Sequence, residues 1–316
     1  MIDELPRLAI VVPCYNEEEV FEDSLTKLLS RLDTMVQNKE IANDSFVLLV
    51  DDGSRDKTWE HIASYQTDFR VKGLKLAHNV GHQNALLAGL LTVKNEVNCT
   101  ISVDADLQDD IMVMSQMVQL YREGYEIVYG VRSDRQTDTL FKKYTAYAYY
   151  KILKWLGVDS IENHADFRLL GQKALTSLSE FQETHLFLRG IIPLLGYKTT
   201  QVYYERLPRL AGESKYSLSK MLALAWNGIT SFSVAPLRII SALGFLIFSA
   251  SLFMLIWIFI SNMIGRTIPG WASTVLPIYF IGGIQLLAIG VIGEYLGKIY
   301  LEVKKRPRFI KETYLE

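Results

Sequence analysis

Three oxygen-bearing side chains stand at alternate positions in the segment VDADLQDD, residues 103–110: Asp104, Asp106 and Gln108. The segment continues the apolar run NCTIS. Side chains at positions i and i+2 of an extended segment point the same way, so the three can face one point. Hard oxygen ligands suit Mg²⁺ or Mn²⁺, which usually keep coordination positions open for phosphate oxygens. The pattern favours a divalent cation that bridges a diphosphate, although aspartates at a strand end also cap turns and helices.

Composition excludes several other classes of site. The two cysteines, Cys14 and Cys99, lack metal-site spacing and are too few for a disulfide framework, which fits a reducing compartment. No His or Cys cluster supports a zinc site. The formal charge of −2 and a pI near 6.3 predict no general attraction to nucleic acid.

The first part of the chain alternates short apolar runs with longer helical patterns. The runs are LAIVVP, FVLLVDD, GLKLAHN, NCTISVDAD and YEIVYGVR. Strands that are apolar on both faces and separated by helices predict an α/β fold with a mostly parallel sheet covered on both sides. Such sheets bind ligands at the carboxyl ends of their strands. Polar residues follow four of the runs, namely Tyr15, Asn16, Glu17, Asp51, Asp52, Asp104, Asp106 and Arg132.

Two long uncharged stretches near the C-terminus predict a membrane hairpin. Residues 239–260 and 274–293 contain no charged side chain, and roughly 20 apolar residues suffice to cross the hydrocarbon. A buried pair of core helices is the alternative. The six basic residues Lys298, Lys304, Lys305, Arg306, Arg308 and Lys311 follow the second stretch, so the positive-inside rule puts the C-terminus in the cytoplasm.

Two crossings return the N-terminal part to the cytoplasmic side, and no basic-then-apolar leader near the first residues suggests its export. Residues 214–236 have leucine and isoleucine at helical spacing, which fits either an interfacial amphipathic helix or an ordinary packed one. The predicted organisation of this multi-pass cell-membrane protein is a catalytic domain at 1–213, the interfacial helix at 214–236, membrane helices at 237–262 and 274–295 around a short extracytoplasmic loop at 263–273, and a basic cytoplasmic tail at 296–316.

The motifs taken together resemble a known family. VVPCYNEEE, LLVDDGSRDKTWE, HNVGHQNALLAGL and DADLQDD follow one another as in family 2 glycosyltransferases with the GT-A fold. The later ADFRLL and RLAGESKYS, followed by two apolar stretches, look like the polyisoprenyl-phosphate hexosyltransferases, a group that includes bactoprenol-phosphate glucosyltransferases and dolichol-phosphate mannose synthase. The similarity runs along essentially the whole chain.

The resemblance implies a role for each matching residue. Asp166, in ADFRLL, would stand beside the reacting sugar, and Asp104 would contact the ribose or metal side of the donor. Asp106 and Gln108 would hold Mg²⁺ or Mn²⁺. Asp52 would meet the base of the nucleotide, and Arg132 would approach its phosphates. The remaining residues expected near the donor or the acceptor phosphate are Pro13, Tyr15, Glu17, Ala105, Arg209 and Lys215. Ordinary alternatives stay open, since Glu17 could cap a helix, Asp52 could form an Asx turn, and the basic residues could be solvated.

The implied reaction moves a hexose from a nucleoside-diphosphate sugar to a polyprenyl phosphate such as undecaprenyl phosphate. UDP-glucose or UDP-GlcNAc is the favoured donor. A lipid monophosphate has a second pKa near 6 and is largely a dianion at neutral pH, so it needs no base. We therefore expect direct attack on the anomeric carbon with inversion, with Asp166 orienting groups rather than removing a proton.

Two other functions fit parts of the sequence. A processive polysaccharide synthase of the same superfamily would carry a Q-x-x-R-W motif, whereas HLFLRGII offers Arg189 without the Gln and Trp. A non-catalytic membrane scaffold or flipping partner would have no need of the aspartates of the VDDGS and DADLQD motifs. Self-association into a homo-oligomer is a further possibility that the sequence leaves open.

Overall fold

The computed structural model describes residues 4–133, 164–183, 188–205, 235–264 and 271–316. Arg209, Lys215 and residues 214–234 of the predicted interfacial helix lie outside the described residues. The chain divides into two compact units. One unit comprises 1–151, 159–215 and 306–316, and the other comprises 152–158 and 216–305.

The first unit is built on a mixed sheet. Its described strands are β1 (Leu8–Cys14), β2 (Phe46–Asp51), β3 (Val71–Leu76), β4 (Cys99–Ser102), β5 (Ile127–Arg132), β6 (His164–Gly171), β7 (Thr199–Tyr204) and β8 (Lys311–Leu315). They lie in the order β7-β5-β6-β4-β1-β2-β3-β8. The pairs β1–β2, β1–β4, β2–β3 and β5–β7 are parallel. The pairs that involve β6 or β8 are antiparallel. The predicted GT-A-like α/β sheet is confirmed.

Helices cover both faces of this sheet, as the alternation of patterns predicted. They are α1 (Phe21–Gln37), α2 (Thr58–Ser64), α3 (His82–Val93), α4 (Met114–Arg122), α5 (Gln172–Leu178) and α6 (Leu188–Leu194). Every residue of β1 and β2 is buried, because helices stand on either side of these central strands. At Gly89 of α3, an added Cβ would come within 2.5 Å of Val11 and 2.7 Å of Val50. The absence of a side chain there lets α3 pack directly on β1 and β2.

The C-terminal residues form the edge strand β8, which pairs with β3 in antiparallel fashion. Lys75 Nζ lies 2.9 Å from Glu312 Oε1, and the hydroxyl of Tyr314 donates to Glu96 at 3.2 Å. The basic residues of 296–316 predicted a tail and no strand. Residues 311–315 are therefore part of the sheet of the first unit.

The second unit contains two long apolar helices, α7 (Ala235–Met263) and α8 (Trp271–Val303). They cover the two stretches for which the sequence predicted membrane helices. Among the described residues, one stretch is long and apolar enough to cross a membrane: Ile284–Val303, with a mean hydropathy of 1.4. The protein thus has a candidate membrane helix near its C-terminus, and the two-crossing arrangement stays a prediction.

Candidate functional site

The carboxyl ends of the central parallel strands bring the predicted donor residues to one edge of the sheet. Cys14 pairs with Asp51, and Val11 pairs with Ser102, so β1, β2 and β4 end close together. The ladder continues past the strand ends, because Asp52 N donates to Cys14 O at 2.9 Å. Side chains that follow these strands face a common region, as expected for an open α/β sheet.

Asp52 fixes the loop that leads into α3. Its two carboxylate oxygens accept hydrogen bonds from the backbone N–H groups of Val80, at 2.7 Å, and of Gly81, at 3.0 Å. The neighbouring Gly53 has a φ of +66°, and a Cβ there would lie 2.7 Å from Asn79 N. The Asp52-Gly53 pair therefore holds residues 79–81 in place, and the start of α3 is anchored to the end of β2.

Acidic side chains are crowded between the ends of β1 and β4. Partial burial, and then the carboxylates of Asp106, Asp56 and Asp104, together raise the pKa of Glu17 to about 7. The pKa of Asp104 is raised to about 6, first by burial and then by carboxylates that include Asp166, while His82 opposes the shift. Such crowding of negative charge is unfavourable unless protons or cations compensate it.

This acidic region fits a divalent cation that also binds a ligand. Gln108 Nε2 donates to Asp106 Oδ2 at 2.6 Å, so the amide oxygen would be the atom that Gln108 offers to a cation. Within the part of the chain that the structure describes, no three His, Cys, Asp or Glu side chains form a group that could hold a metal ion. Mg²⁺ is commonly held by one or two carboxylates together with substrate phosphates. Asp106 and Gln108 fit that mode, in which the donor completes the coordination.

Asp166 in β6 is held by two arginines. Its side chain is 9% exposed, and it forms an ion pair with Arg168, which is wholly buried two residues further along the strand. Arg189 of α6 adds two hydrogen bonds: Nε to Oδ1 at 3.3 Å and Nη2 to Oδ2 at 3.2 Å. Burial by itself raises the pKa of Asp166, but Arg168 and Arg189 outweigh it and hold the pKa well below its usual range. Asp166 is therefore a fixed, ionised carboxylate.

His82, the first residue of α3, joins this group to the acidic region. Its Nε2 lies 3.4 Å from Asp104 Oδ1 and 3.7 Å from Asp166 Oδ2. The side chain is 43% exposed. The carboxylate of Asp104, after β4, and that of Asp166, in β6, thus lie near the same imidazole. Asp104 and Asp166 therefore belong to a single site.

Arg132, at the end of β5, is paired with a buried carboxylate. Its Nη2 lies 2.8 Å from Asp109 Oδ1, and the hydroxyl of Tyr204 donates to the same oxygen at 2.6 Å. Asp109 is only 2% exposed. The structure therefore gives Arg132 a partner within the protein, next to the DADLQDD segment.

The other predicted residues occupy different environments. Pro13 is buried in β1 opposite Val50, and Tyr15 is 41% exposed just beyond that strand. Ala105 is nearly buried, and its carbonyl accepts a hydrogen bond from Ser24 Oγ at 2.7 Å. Arg209 and Lys215 lie outside the described residues, so their place in the site stays a prediction.

Sequence reasoning missed several residues of this site: His82, Asp109, Arg168, Arg189 and Tyr204. His82 and Arg168 lie within the quoted motifs HNVGHQNALLAGL and ADFRLL, so their type and position were visible. Arg189 was considered only as part of an absent synthase motif. Tyr204 had no signal, because its contact with Asp109 joins residues that are 95 positions apart.

Comparison with known proteins agrees with the motifs. The family model "Glycosyl transferase family 2" matches residues 9–179. A Bacillus subtilis (strain 168) protein named "Uncharacterized glycosyltransferase YkoT" is 52% identical over 96% of this chain and 90% of its own length. The "SfII prophage-derived bactoprenol glucosyl transferase" of Shigella flexneri is 36% identical over 96% of this chain and 97% of its own length.

The solved structure of the mannosyltransferase PcManGT from Pyrobaculum calidifontis is 15% identical, with a TM-score of 0.45 over 93% of this chain and 88% of that one. The family model covers more than half of the 316 residues. The Bacillus and Shigella relatives extend along nearly the whole chain and include a bactoprenol glucosyl transferase, which confirms the resemblance that the motifs indicated. The chain belongs to glycosyl transferase family 2.

Proposed function

We propose that this protein is a membrane-bound glycosyltransferase that moves a hexose from a nucleoside-diphosphate sugar to a polyprenyl phosphate, with inversion at the anomeric carbon. The observation that carries the proposal is the joining of Asp104 and Asp166 through His82 at the carboxyl edge of the sheet. Family membership supports glycosyl transfer, and the bactoprenol glucosyl transferases among the relatives support a lipid carrier as acceptor.

The donor would bind over the acidic region at the ends of β1, β2 and β4. Glu17 and Asp104 have raised pKa values there, and the proposed ligands Asp106 and Gln108 lie beside them. A bound Mg²⁺ or Mn²⁺ would supply Lewis-acid stabilisation of the charge that develops on the leaving nucleoside diphosphate. The loop held by Asp52 would bound the pocket on the side of α3.

The acceptor needs orientation and positive charge rather than deprotonation. A phosphate monoester has a second pKa near 6 and is largely dianionic at neutral pH. The pKa of Asp166 lies below its usual range because of Arg168 and Arg189, so this carboxylate is poorly suited to accept a proton near neutral pH. We infer that Asp166 orients the reacting groups and stabilises positive charge on the sugar. Arg209 and Lys215 remain proposed phosphate ligands on the strength of the motif resemblance.

The proposed location is the cell membrane, with two crossings and the catalytic unit on the cytoplasmic side. The candidate membrane helix at Ile284–Val303 and the basic residues around its end support this arrangement. An anchored enzyme gains effective concentration toward an acceptor whose head group lies at the bilayer surface. Among sugars, glucose is favoured because relatives are named glucosyl transferases, and GlcNAc is the next donor to test.

The decisive experiment is a donor panel with the detergent-solubilised full chain. Four donors are each incubated with undecaprenyl phosphate in Mg²⁺, Mn²⁺ or EDTA: UDP-glucose, UDP-GlcNAc, UDP-galactose and GDP-mannose. The lipid product is identified by its mass in a mass spectrometer. We expect one hexosyl-phosphoryl lipid, formed only with a divalent cation, and its anomeric configuration by NMR should be opposite to that of the donor. Asp104→Asn should abolish product without loss of folding. A product with retained configuration, or none with any donor, would contradict the proposal.

A further inference from the structure

Gln83 of α3 makes a hydrogen bond to the backbone of α6. Its Oε1 accepts a hydrogen bond from Leu188 N at 3.1 Å. This contact ties the backbone of α6 at Leu188 to the side chain of a residue in α3. Gln83 is itself adjacent to His82, and both follow the loop that Asp52 holds. The N-terminus of α3 therefore holds the backbone of α6 at Leu188.

Arg189, the next residue after Leu188, binds Asp166 side-on. Its Nε and Nη2 reach the two different carboxylate oxygens, at 3.3 and 3.2 Å. Two parallel N–H···O contacts fix the plane of a carboxylate as well as its distance, which a single contact cannot do. Arg189 is thus placed to set the orientation of Asp166.

Asp166 has a second arginine partner, Arg168, so the charge of the carboxylate and its orientation depend on different residues. Arg168 is 1% exposed and comes from the same strand as Asp166, so it is a permanent counter-ion of that carboxylate. Arg189 comes from another element, and its side chain is 39% exposed. Loss of Arg189 would leave Asp166 paired and ionised but free to turn.

We propose that Arg189 is a positioning residue for Asp166, and that Gln83 positions Arg189 by holding the backbone of the preceding residue, Leu188. The inference rests on the proposed sugar transfer, and it adds two residues to which neither the motif resemblance nor the comparisons assigned a role. Arg189 acts through Asp166: it holds the carboxylate in the plane in which it orients the reacting groups. Gln83 acts one step further away, through the backbone of Leu188.

The test is a double-mutant cycle measured as steady-state hexosyl transfer by the full chain. Arg189→Gln should lower kcat by roughly 10- to 100-fold, the scale of a misplaced catalytic group, with little change in KM for the donor. Arg189→Lys should recover little, because an ammonium cannot make the two parallel contacts. Adding Arg189→Gln to Asp166→Asn should cost less than a further threefold, since residues that act as a unit are not additive.

Two further variants test the contribution of Gln83 and control for the loss of an ion pair. Gln83→Met, which lacks the acceptor, should lower kcat in the same direction as Arg189→Gln, while Gln83→Glu keeps an acceptor oxygen and should retain most activity. Arg70→Gln is the matched control, because Arg70 is likewise an ion-paired arginine, with Asp33 and Asp68 as its partners, and lies apart from the site. It should leave kcat unchanged. Melting temperatures identify any variant that fails to fold.

The outcomes distinguish the two proposals. If the unmodified chain transfers sugar and the effects of Arg189→Gln and Asp166→Asn multiply, Arg189 acts independently of Asp166 and the inference is overturned. An equal kcat for Arg189→Gln and Arg70→Gln would also overturn the inference that Arg189 positions Asp166. Absence of transfer by the unmodified chain with every donor would instead overturn the proposed function, and this inference with it.

Discussion

Arg132 Nη2 lies 2.8 Å from Asp109 Oδ1, which joins the end of β5 to the segment that follows β4. The motif resemblance implied that Arg132 approaches the donor phosphates, and the structure shows it paired with a buried carboxylate. The hydroxyl of Tyr204 shares the same oxygen. Asp109 thus holds together β5, β7 and the DADLQDD segment beside the acidic region.

Replacement of Asp109 by Ala should therefore destabilise the catalytic unit. The substitution leaves the guanidinium of Arg132 and the hydroxyl of Tyr204 without their acceptor. We expect the free energy of unfolding to fall by only about 2 kcal/mol, because Arg132 is partly exposed. Chemical denaturation of the solubilised protein measures it. Asp44→Ala, which removes an exposed partner of Arg7, is the control and should cost far less. Equal effects of the two substitutions would show that the Asp109 contacts contribute little.

Asp166→Asn should reduce transfer without making it more dependent on alkaline pH. The carboxylate is already ionised across the neutral range, because Arg168 and Arg189 hold its pKa low. We expect a loss of roughly 100-fold from poorer orientation, equal at pH 6.5 and pH 8.5. Initial rates with saturating donor and acceptor measure it. Loss of several hundredfold that higher pH reverses would identify Asp166 as a general base instead.

Glu17→Gln should stabilise the protein at alkaline pH in the absence of ligand. Partial burial and neighbouring carboxylates raise the pKa of Glu17 to about 7, above the value near 4.3 of a free side chain. A raised pKa stabilises the fold below pH 4.3, and that contribution disappears as pH rises through 7. The melting temperature of the variant should therefore exceed that of the unmodified chain at pH 8, and the gap should close toward pH 5. A gap independent of pH would exclude this cause.

Asp106→Ala should abolish the hexose transfer that depends on Mg²⁺ or Mn²⁺. The carboxylate is the proposed charged ligand, and its neighbour Gln108 supplies only a neutral oxygen. Calorimetric titration of UDP in the presence of Mg²⁺ should show binding to the unmodified chain and much weaker binding to the variant. Asp110→Ala is a matched control, since Asp110 caps the turn at Met112 and lies outside the proposed cation ligands. Full turnover of Asp106→Ala in chelator-treated samples would contradict the cation site.

Deletion of residues 309–316 should weaken the catalytic unit although it leaves both apolar helices intact. The deletion removes β8 and exposes the edge of β3. It also removes the contact of Lys75 with Glu312 and that of Glu96 with Tyr314. We expect a lower melting temperature and more aggregation, because an uncovered strand edge pairs with other chains. Lys311→Ala is the milder comparison. A deletion that melts like the full chain would show that β8 is dispensable.

The pairing of β8 with β3 also affects any test of the two apolar helices by truncation. A chain that ends before Ile239 loses β8 as well as both helices, so lost activity on membrane-embedded acceptor has two causes. A variant in which a flexible linker joins the catalytic unit directly to residues 306–316 keeps the strand. We expect that variant to fold and to lose activity only on acceptor in bilayers, measured against acceptor in detergent. Equal activity on both forms would show that the helices contribute nothing to transfer onto acceptor in bilayers.

The sequence by itself determined the parts of this protein that depend on local pattern. Continuous apolar runs separated by helical patterns predicted β1 to β5 and a mostly parallel sheet, because strands buried on both faces require such runs. The spacing of Asp104 and Asp106 at the end of an apolar run, together with the order of the motifs, indicated the family. These features are encoded within a few residues of one another.

Only the tertiary structure decided which side chains meet. Asp166 and Arg189 are 23 positions apart, and Lys75 and Glu312 are 237 apart, so no local pattern relates either pair. Whether an arginine at the rim binds a ligand or a carboxylate of the protein depends on what the fold brings beside it, as Arg132 and Asp109 show. Hydrophobic periodicity is a property of neighbouring positions along the chain, so the sequence shows it. Ion pairs and hydrogen bonds act over a few ångströms in space, so only the tertiary structure shows which residues form them.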